Sequence, residues 1–230
     1  MPACDRTNLV VVAHPDDEVL GFGATGVQLV RKSEVVQAII LCGSVSARTG
    51  RPTDEDLYSD MVAANGLLGF CHPVVGHFPN IRMNTVDHID LVRFIEEQIL
   101  RFQPTRIFTH HPADLNDDHV QVSKACVSAA RLFQRRSDVR PLESLSFIEI
   151  LSSTDWSFAG PSMQFSPNCF VDVTDSFDLK LNALGKYRGV VRDPPHPRSN
   201  DVLRAHAVYR GGQCGRRYAE CFQTVFRAGL

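Results

Sequence analysis

The sequence is poor in the features that mark membrane, nucleic-acid-binding and disulfide-stapled proteins. No run approaches the ~20 apolar residues a membrane-spanning helix needs. The charges nearly cancel: 24 Lys and Arg against 26 Asp and Glu leave a formal net charge of -2. That balance gives no basic footprint for nucleic acid and no polybasic anchor for a membrane surface. The seven cysteines (Cys4, Cys42, Cys71, Cys126, Cys169, Cys214 and Cys221) are scattered, and none forms a Cys-x-x-Cys pair. This argues against a disulfide framework or a thiolate zinc site and for buried free thiols in a reducing compartment. Asp5 and Arg6 precede only a short apolar run, with no small-residue cleavage site after it, so no signal peptide is expected and the chain reads as cytoplasmic. Internal repeats, low-complexity tracts and Pro/Gly/Ser-rich linkers are also missing. The 230 residues are therefore expected to form one domain, residues 1–230, with a small molecule as its partner.

What is present is an alternation of short β-rich runs and helical periodicities. Residues 9–13 form a continuous apolar run, as in a strand buried on both faces. Residues 18–32 suit a helix, although Gly21, Gly23 and Gly26 within it imply close packing. A second strand is expected over 34–42, a polar loop over 43–52, and a helix over 54–68. An extended segment near 74–78 follows, then a helix over 85–102 with Ile89, Val92, Ile95 and Ile99 on one face. Residues 105–109 return as a strand, and 118–134 suit a helix. The last third is less regular, with strands expected over 145–151 and 169–173 and helices over 175–187 and 200–210. Strand–helix alternation of this kind predicts an α/β fold with a largely parallel sheet and helices on both faces.

In such a sheet ligands sit beyond the C-terminal strand ends, where the strand order reverses. Two loops leaving strand ends carry clusters of ligating side chains. One is His14-Pro15-Asp16-Asp17-Glu18, and the other runs from His110 through His111, Asp114, Asn116, Asp117 and Asp118 to His119. Imidazole and carboxylate suit zinc and related divalent metals, and a catalytic zinc keeps three protein ligands and one open position. His14 and Asp17 from the first loop with His119 from the second supply such a set. Asp16 is left as a carboxylate to take a proton from activated water. Either cluster alone has a plainer reading, as a turn or a helix cap. Asn116 or Asp117 in particular suits the cap of the following helix, and Glu18 suits a helix N-terminal carboxylate.

Ala-His-Pro-Asp-Asp-Glu after a first strand, joined to a downstream His-Pro-x-Asp-x-Asn-x-Asp-His, resembles the PIG-L/LmbE-like superfamily of zinc-dependent N-deacetylases. The likeness runs over nearly the whole chain, including Ile150-Leu-Ser-Ser-Thr-Asp-Trp156, Phe165-Ser-Pro-Asn168 with Phe170-Val-Asp172, Pro195-His-Pro-Arg-Ser199 and Tyr218-Ala-Glu-Cys-Phe222. It implies a Rossmann-like three-layer sandwich with its metal site at the C-terminal strand ends. It also implies His14, Asp17 and His119 as ligands of Zn2+ (or another divalent metal such as Fe2+), Asp16 as general base, and hydrolysis of an acetamido group on an amino sugar. Where many members carry Asp-x-His-x-Asp-His, this chain has Asp114-Leu-Asn116-Asp-Asp118-His119. Asn116 cannot act as a charged acid, so oxyanion stabilisation is assigned among Asn116, His111 and His196.

Asp114 and Asp118 have two readings: orienting the ligand imidazoles, or capping and loop hydrogen bonding. Arg48, Arg82 and Arg198 lie in Gly-, Asn- or Pro-rich segments and are candidate contacts to an acetylated amino sugar or glycoconjugate. Trp156 suits either sugar stacking or, preferably, the core. A homo-oligomer is compatible with the sequence. Two other functions remain open: an amidase acting on a non-sugar or thiol-conjugate amide, and a non-catalytic sugar- or nucleotide-binding module. Against the module, Gly21-Phe-Gly23-Ala-Thr-Gly26 has phosphate-loop spacing but falls inside a helix, after an acidic turn.

Overall fold

The computed structural model describes residues 6–44, 52–157 and 164–229. Seven strands form one sheet: β1 (Thr7–Val12), β2 (Val35–Ile40), β3 (Val74–Val75), β4 (Arg106–His110), β5 (Ser144–Ile148), β6 (Cys169–Asp172) and β7 (Ala219–Arg227), in the order β3-β2-β1-β4-β5-β7-β6. Pairing is parallel from β3 to β5, and β7 runs antiparallel to both β5 and β6. The helices are α1 (Asp17–Arg31), α2 (Asp54–Leu68), α3 (His88–Phe102), α4 (Asp117–Ala129), α5 (Leu132–Arg135), α6 (Phe177–Leu184) and α7 (Asn200–Cys214). The expected α/β class and mostly parallel sheet are what the structure has.

Strand alternation divides the core into two layers. Val10 and Val12 of β1 face one way, onto α1, α2 and α6, while Leu9, Val11 and Ala13 face the other, onto α3 and α4. The strand order reverses at β1, because β2 and β3 extend to one side and β4 to the other. The crevice between the C-terminal ends of β1 and β4 is therefore the ligand position of this topology. Among the described residues no helix is long and apolar enough to cross a membrane.

Three expectations are corrected in detail. The helix expected over 118–134 is broken: α4 ends at Ala129 and a separate short helix follows at Leu132–Arg135. A nine-residue strand, β7, was not expected and sits between β5 and β6. Its Glu220 is buried, accepting from Ala24 N and Thr25 N of α1 and from Lys180 Nζ at 2.7 Å, an ionic contact inside what would otherwise read as a core strand. The expected buried thiols are only part of the picture. Among the described cysteines, all free, Cys42, Cys126 and Cys221 are buried, whereas Cys71 and Cys169 are exposed.

Close packing at α1 is real. A Cβ built on Gly26 would stand 2.2 Å from Phe70 Cζ, whereas one on Gly66, exposed in α2, meets nothing within 4 Å. Gly26→Ala is expected to lower stability by ~1–3 kcal/mol, and Gly66→Ala to raise it by ~0.5–1 kcal/mol. Denaturant midpoints of the two variants check both signs.

A second set of contacts anchors α7. Glu149, just past β5, accepts from Arg210 Nε at 3.0 Å and from Cys221 Sγ at 3.2 Å, with His206 Nε2 3.1 Å away. Burial pushes the Glu149 carboxyl up, but His206 and Arg210 outweigh it and hold it down at about 2, against an ordinary 4.5. A depressed carboxylate stabilises the fold fully above its unfolded value and loses that contribution as pH falls through its folded value. Between about pH 4.5 and 2, the wild type should therefore lose more stability than Glu149→Gln. Parallel acid titrations followed by circular dichroism measure that difference.

Candidate metal centre

The first loop leaves β1 at Ala13 and turns into α1 through Asp16, the helix N-cap residue, whose φ of 97° lies in the left-handed region. A non-glycine residue there costs ~1–3 kcal/mol and persists only where its surroundings fix it. The fixing group is Glu18, which accepts from Asp16 N at 3.2 Å. Glu18 is itself buried, and Asn65 Nδ2 at 3.0 Å and Tyr187 Oη donate to it. Burial pushes the Glu18 carboxyl up to about 7 despite these donors. The plain expectation of a helix N-terminal carboxylate is thus met by a group that also braces the turn.

The turn brings three donor atoms together with the second loop. His14 Nδ1 lies 3.3 Å from His119 Nε2, Asp17 Oδ2 lies 3.1 Å from His119 Nε2, and His14 Nδ1 lies 3.5 Å from Asp17 Oδ2. With metal–nitrogen bonds of ~2.0–2.1 Å, the edge of a tetrahedron is ~3.3–3.4 Å, so the three atoms already occupy one face of such a ligand set. All three residues are buried. Each histidine is backed by a carboxylate on its far nitrogen: His14 Nε2 lies 2.9 Å from Asp118 Oδ2, and His119 Nδ1 lies 3.2 Å from Asp114 Oδ1. The orienting reading of Asp114 and Asp118 therefore has its geometry.

The electrostatics also suit a cation. Burial lowers the His119 pKa, yet Asp17 and Asp114 overcome it and raise it to about 10. Burial raises that of Asp114, yet His119 and its other partners bring it to about 2. Asp17 is held well below the usual carboxylate range, its burial outweighed chiefly by the charge and hydrogen bond of His119. With carboxylates on both imidazoles, the cluster has a potential that favours positive charge between its ligand atoms. The residues present fit a divalent metal.

The cluster forms the floor of a cavity of about 510 Å³, with Asp16 and Arg198 on its wall. Arg198, which ends the loop before α7, donates from Nη1 to Asp16 Oδ2 at 3.0 Å and from Nε to Ser152 Oγ at 3.1 Å. The arginine expected to contact substrate thus stands on the cavity wall with its charge on Asp16. Asn116 also lines the cavity, but its side-chain oxygen caps α4 by accepting from Asp118 N at 3.0 Å. This leaves Nδ2 as the remaining polar group of the side chain.

The other expected residues lie elsewhere. His196 is outside the cavity lining and its Nδ1 accepts from Arg198 N. Arg82 is exposed and outside the lining, although its neighbours Asn80 and Ile81 belong to it. His111 is buried, packed edge-on against Phe147 and Phe165. Arg48 lies outside the described residues. Trp156 is 50% exposed, which corrects the preferred reading of it as a core residue.

Sequence reasoning missed Asn80, Ile81, Ser152 and Ser153 in the cavity wall. It also missed the hydroxyls of Ser153 and Thr154 that donate to Asp114. The stretch Ile150 to Trp156, part of the family likeness, is the signal for Ser152, Ser153 and Thr154, whereas no motif marks Asn80 and Ile81.

Residues 9–130, more than half of the chain, match the family model described as PIG-L, GlcNAc-PI de-N-acetylase. An uncharacterized deacetylase, YaiS of Escherichia coli strain K12, is 26% identical over 187 residues, covering 78% of this chain and 89% of that protein. The N,N'-diacetylchitobiose deacetylase of Pyrococcus horikoshii superposes with a TM-score of 0.75 at 19% identity, covering 96% of this chain and 84% of the other. The 4-carboxy-2-hydroxymuconate hydratase GalB of Pseudomonas putida KT2440 superposes with a TM-score of 0.76 at 20% identity, covering 98% of each chain. At such identities a superposition establishes a shared fold, and one of these two folds carries a hydratase, so the reaction is not read from the fold. The family match over both loops is what assigns the chain: it belongs to the PIG-L family of GlcNAc-PI de-N-acetylases.

Proposed function

We propose that the protein is a metal-dependent deacetylase that hydrolyses the acetamido group of an N-acetylated amino sugar or sugar conjugate. The observation that carries the reading is the convergence of His14 Nδ1, Asp17 Oδ2 and His119 Nε2 beside the Asp16 carboxylate, all facing one cavity. His14, Asp17 and His119 would hold the ion, with Zn2+ the first candidate for a nitrogen- and oxygen-donor set. When bound, such an ion polarises a carbonyl and acidifies water. The family match, and the relatives whose names record deacetylation, favour an amide as the bond broken.

Within that reading Asp16 is the general base. Its side chain stands on the cavity wall, where Oδ2 accepts from Arg198 Nη1 at 3.0 Å. Water adds to the amide carbon, its proton passes to Asp16, and the C–N bond breaks as Asp16 returns that proton to the amine nitrogen. The products are a free amine and acetic acid, which ionises to acetate by releasing its proton to solvent, so Asp16 ends as it began. Asn116, whose Nδ2 is not used by the helix cap, lines the same cavity and would donate to the carbonyl oxygen as charge develops there. Arg198 acts here by holding Asp16 in place, and from the same wall it remains a candidate substrate contact. The same machinery serves a non-sugar amide, and only the cavity rim separates the two.

The test is acetate release from a panel of N-acetylated amino sugars, glycoconjugates and non-sugar acetamides, with bound metal measured in parallel. Asp16→Asn is expected to keep its metal and lose ~10²–10⁴-fold in kcat, and His119→Ala to lose both metal and activity. Normal turnover by Asp16→Asn would remove the base assignment. Full metal content in His119→Ala would remove the ligand assignment. A wild type that binds metal but releases acetate only from non-sugar amides would favour the amidase reading.

A further inference from the structure

His110 belongs to neither the proposed ligand set nor the proton path, yet it is fully buried at the centre of the site. Its ring stacks on His119, with centroids 3.8 Å apart and an interplanar angle of 12°. Its Nε2 accepts from Ala13 N at 2.8 Å and lies 3.5 Å from Asp17 Oδ2. The backbone pairing of β1 with β4 ends at Val11 opposite Thr109. Beyond that point β1 and β4 no longer pair, and the amide of Ala13, just past β1, is taken by the His110 side chain.

An imidazole that accepts at Nε2 carries its proton on Nδ1. That Nδ1 is buried and has no hydrogen-bond partner among the described residues. A buried donor left unpaired costs ~1–3 kcal/mol, which a phenylalanine or leucine in the same space would avoid. The cost calls for an explanation in what the ring does. An aliphatic residue supplies neither the stack nor the acceptor, and a phenylalanine supplies only the stack.

We infer that His110 is a positioning residue that sets the spacing of the two halves of the metal centre, fixing the His14–Asp17 loop through Ala13 and the plane of the His119 ring by stacking. This rests on the proposed metal site, and it adds a residue that touches neither metal nor substrate. The two functions of the ring separate by substitution. His110→Phe keeps the aromatic face and loses the acceptor, and His110→Gln keeps an acceptor and loses the stack.

The experiment measures Zn2+ affinity by competition with a chromogenic chelator, together with the d–d absorption spectrum of the Co2+-loaded protein and the melting temperature of the metal-free protein. Both variants are expected to weaken Zn2+ binding by ~10–100-fold, the range for groups that orient metal ligands, and to shift the Co2+ bands. Unchanged affinity and spectrum with only a lowered melting temperature would make His110 a structural core residue and overturn the inference. If His110→Phe fails to fold, His110→Gln decides alone by the same readouts. A wild type that binds neither Zn2+ nor Co2+ would remove the metal-site reading itself, and the inference with it. Metal binding unchanged in both variants but lost in His119→Ala would remove the inference alone.

Discussion

The hydrogen bond between Asp118 and His14 is the contact on which the rest of the site depends. Asp118 sits in the first turn of α4, next in sequence to His119, yet its Oδ2 reaches His14 Nε2 on the other loop at 2.9 Å. The same carboxylate accepts from Ile81 N at 2.6 Å and Met83 N at 2.9 Å. One side chain thereby ties together the loop after β1, the turn before α3 and the start of α4. Asp114 does the corresponding work on the far side, joining His119 to Ser153 and Thr154 beyond β5. The two histidines are therefore each held by a carboxylate, Asp114 in the loop before α4 and Asp118 in the helix's first turn. Their near nitrogens are left pointing at each other and at Asp17.

Holding that arrangement strains the backbone, and the strain is concentrated around the cavity. Among the described residues five non-glycines have positive φ, and three of them, Asp16, Ile81 and Ser152, line the cavity wall. Each has a specific tether: Asp16 N to Glu18, Ile81 N to Asp118, and Ser152 Oγ to Arg198. Strain of this size persists where the surrounding structure over-determines it. Here the Ile81 tether reaches the ligand residues through Asp118 and His14, while the Asp16 and Ser152 tethers meet at Arg198 on the same cavity wall. Glu18 shows the tension most clearly. Its carboxyl is raised to about 7 by burial, and it is kept in place by Tyr187 and Asn65 from two other elements.

What could be read from the sequence follows the range of the interactions. The strand-to-loop positions of His14, Asp17 and His119 were legible because each loop carries its own local signal: an apolar run, then a turn, then ligating side chains. The sheet class was legible for the same reason. β7 was not, because its Glu220 is neutralised by Lys180 from α6 and by helix α1, partners distant in sequence that no local pattern reveals. Arg82 was singled out for its type, whereas the turn it belongs to puts Asn80 and Ile81 into the cavity instead. Arg198 was picked out by its stiff Pro-rich loop, but its partner Asp16 lies 182 positions away. Trp156 was expected inside on its residue type alone, and it stands half exposed.

Asn116 ties the capping of α4 to the proton path. Here the side-chain oxygen accepts from Asp118 N and begins α4, the helix whose first turn carries both Asp118 and His119. Asparagine is among the best N-cap residues, because its short side chain reaches the unpaired amides of the first turn. An imidazole lacks that carbonyl oxygen, so a histidine would leave the cap to another group. The cap holds the Asp118 backbone, and Asp118 holds His14, so Asn116 supports the centre from beneath while its amide nitrogen remains for the cavity. An amide nitrogen donates a hydrogen bond but does not transfer a proton at neutral pH. In the proposed reaction the proton for the departing amine therefore comes from Asp16, which has just taken it from water.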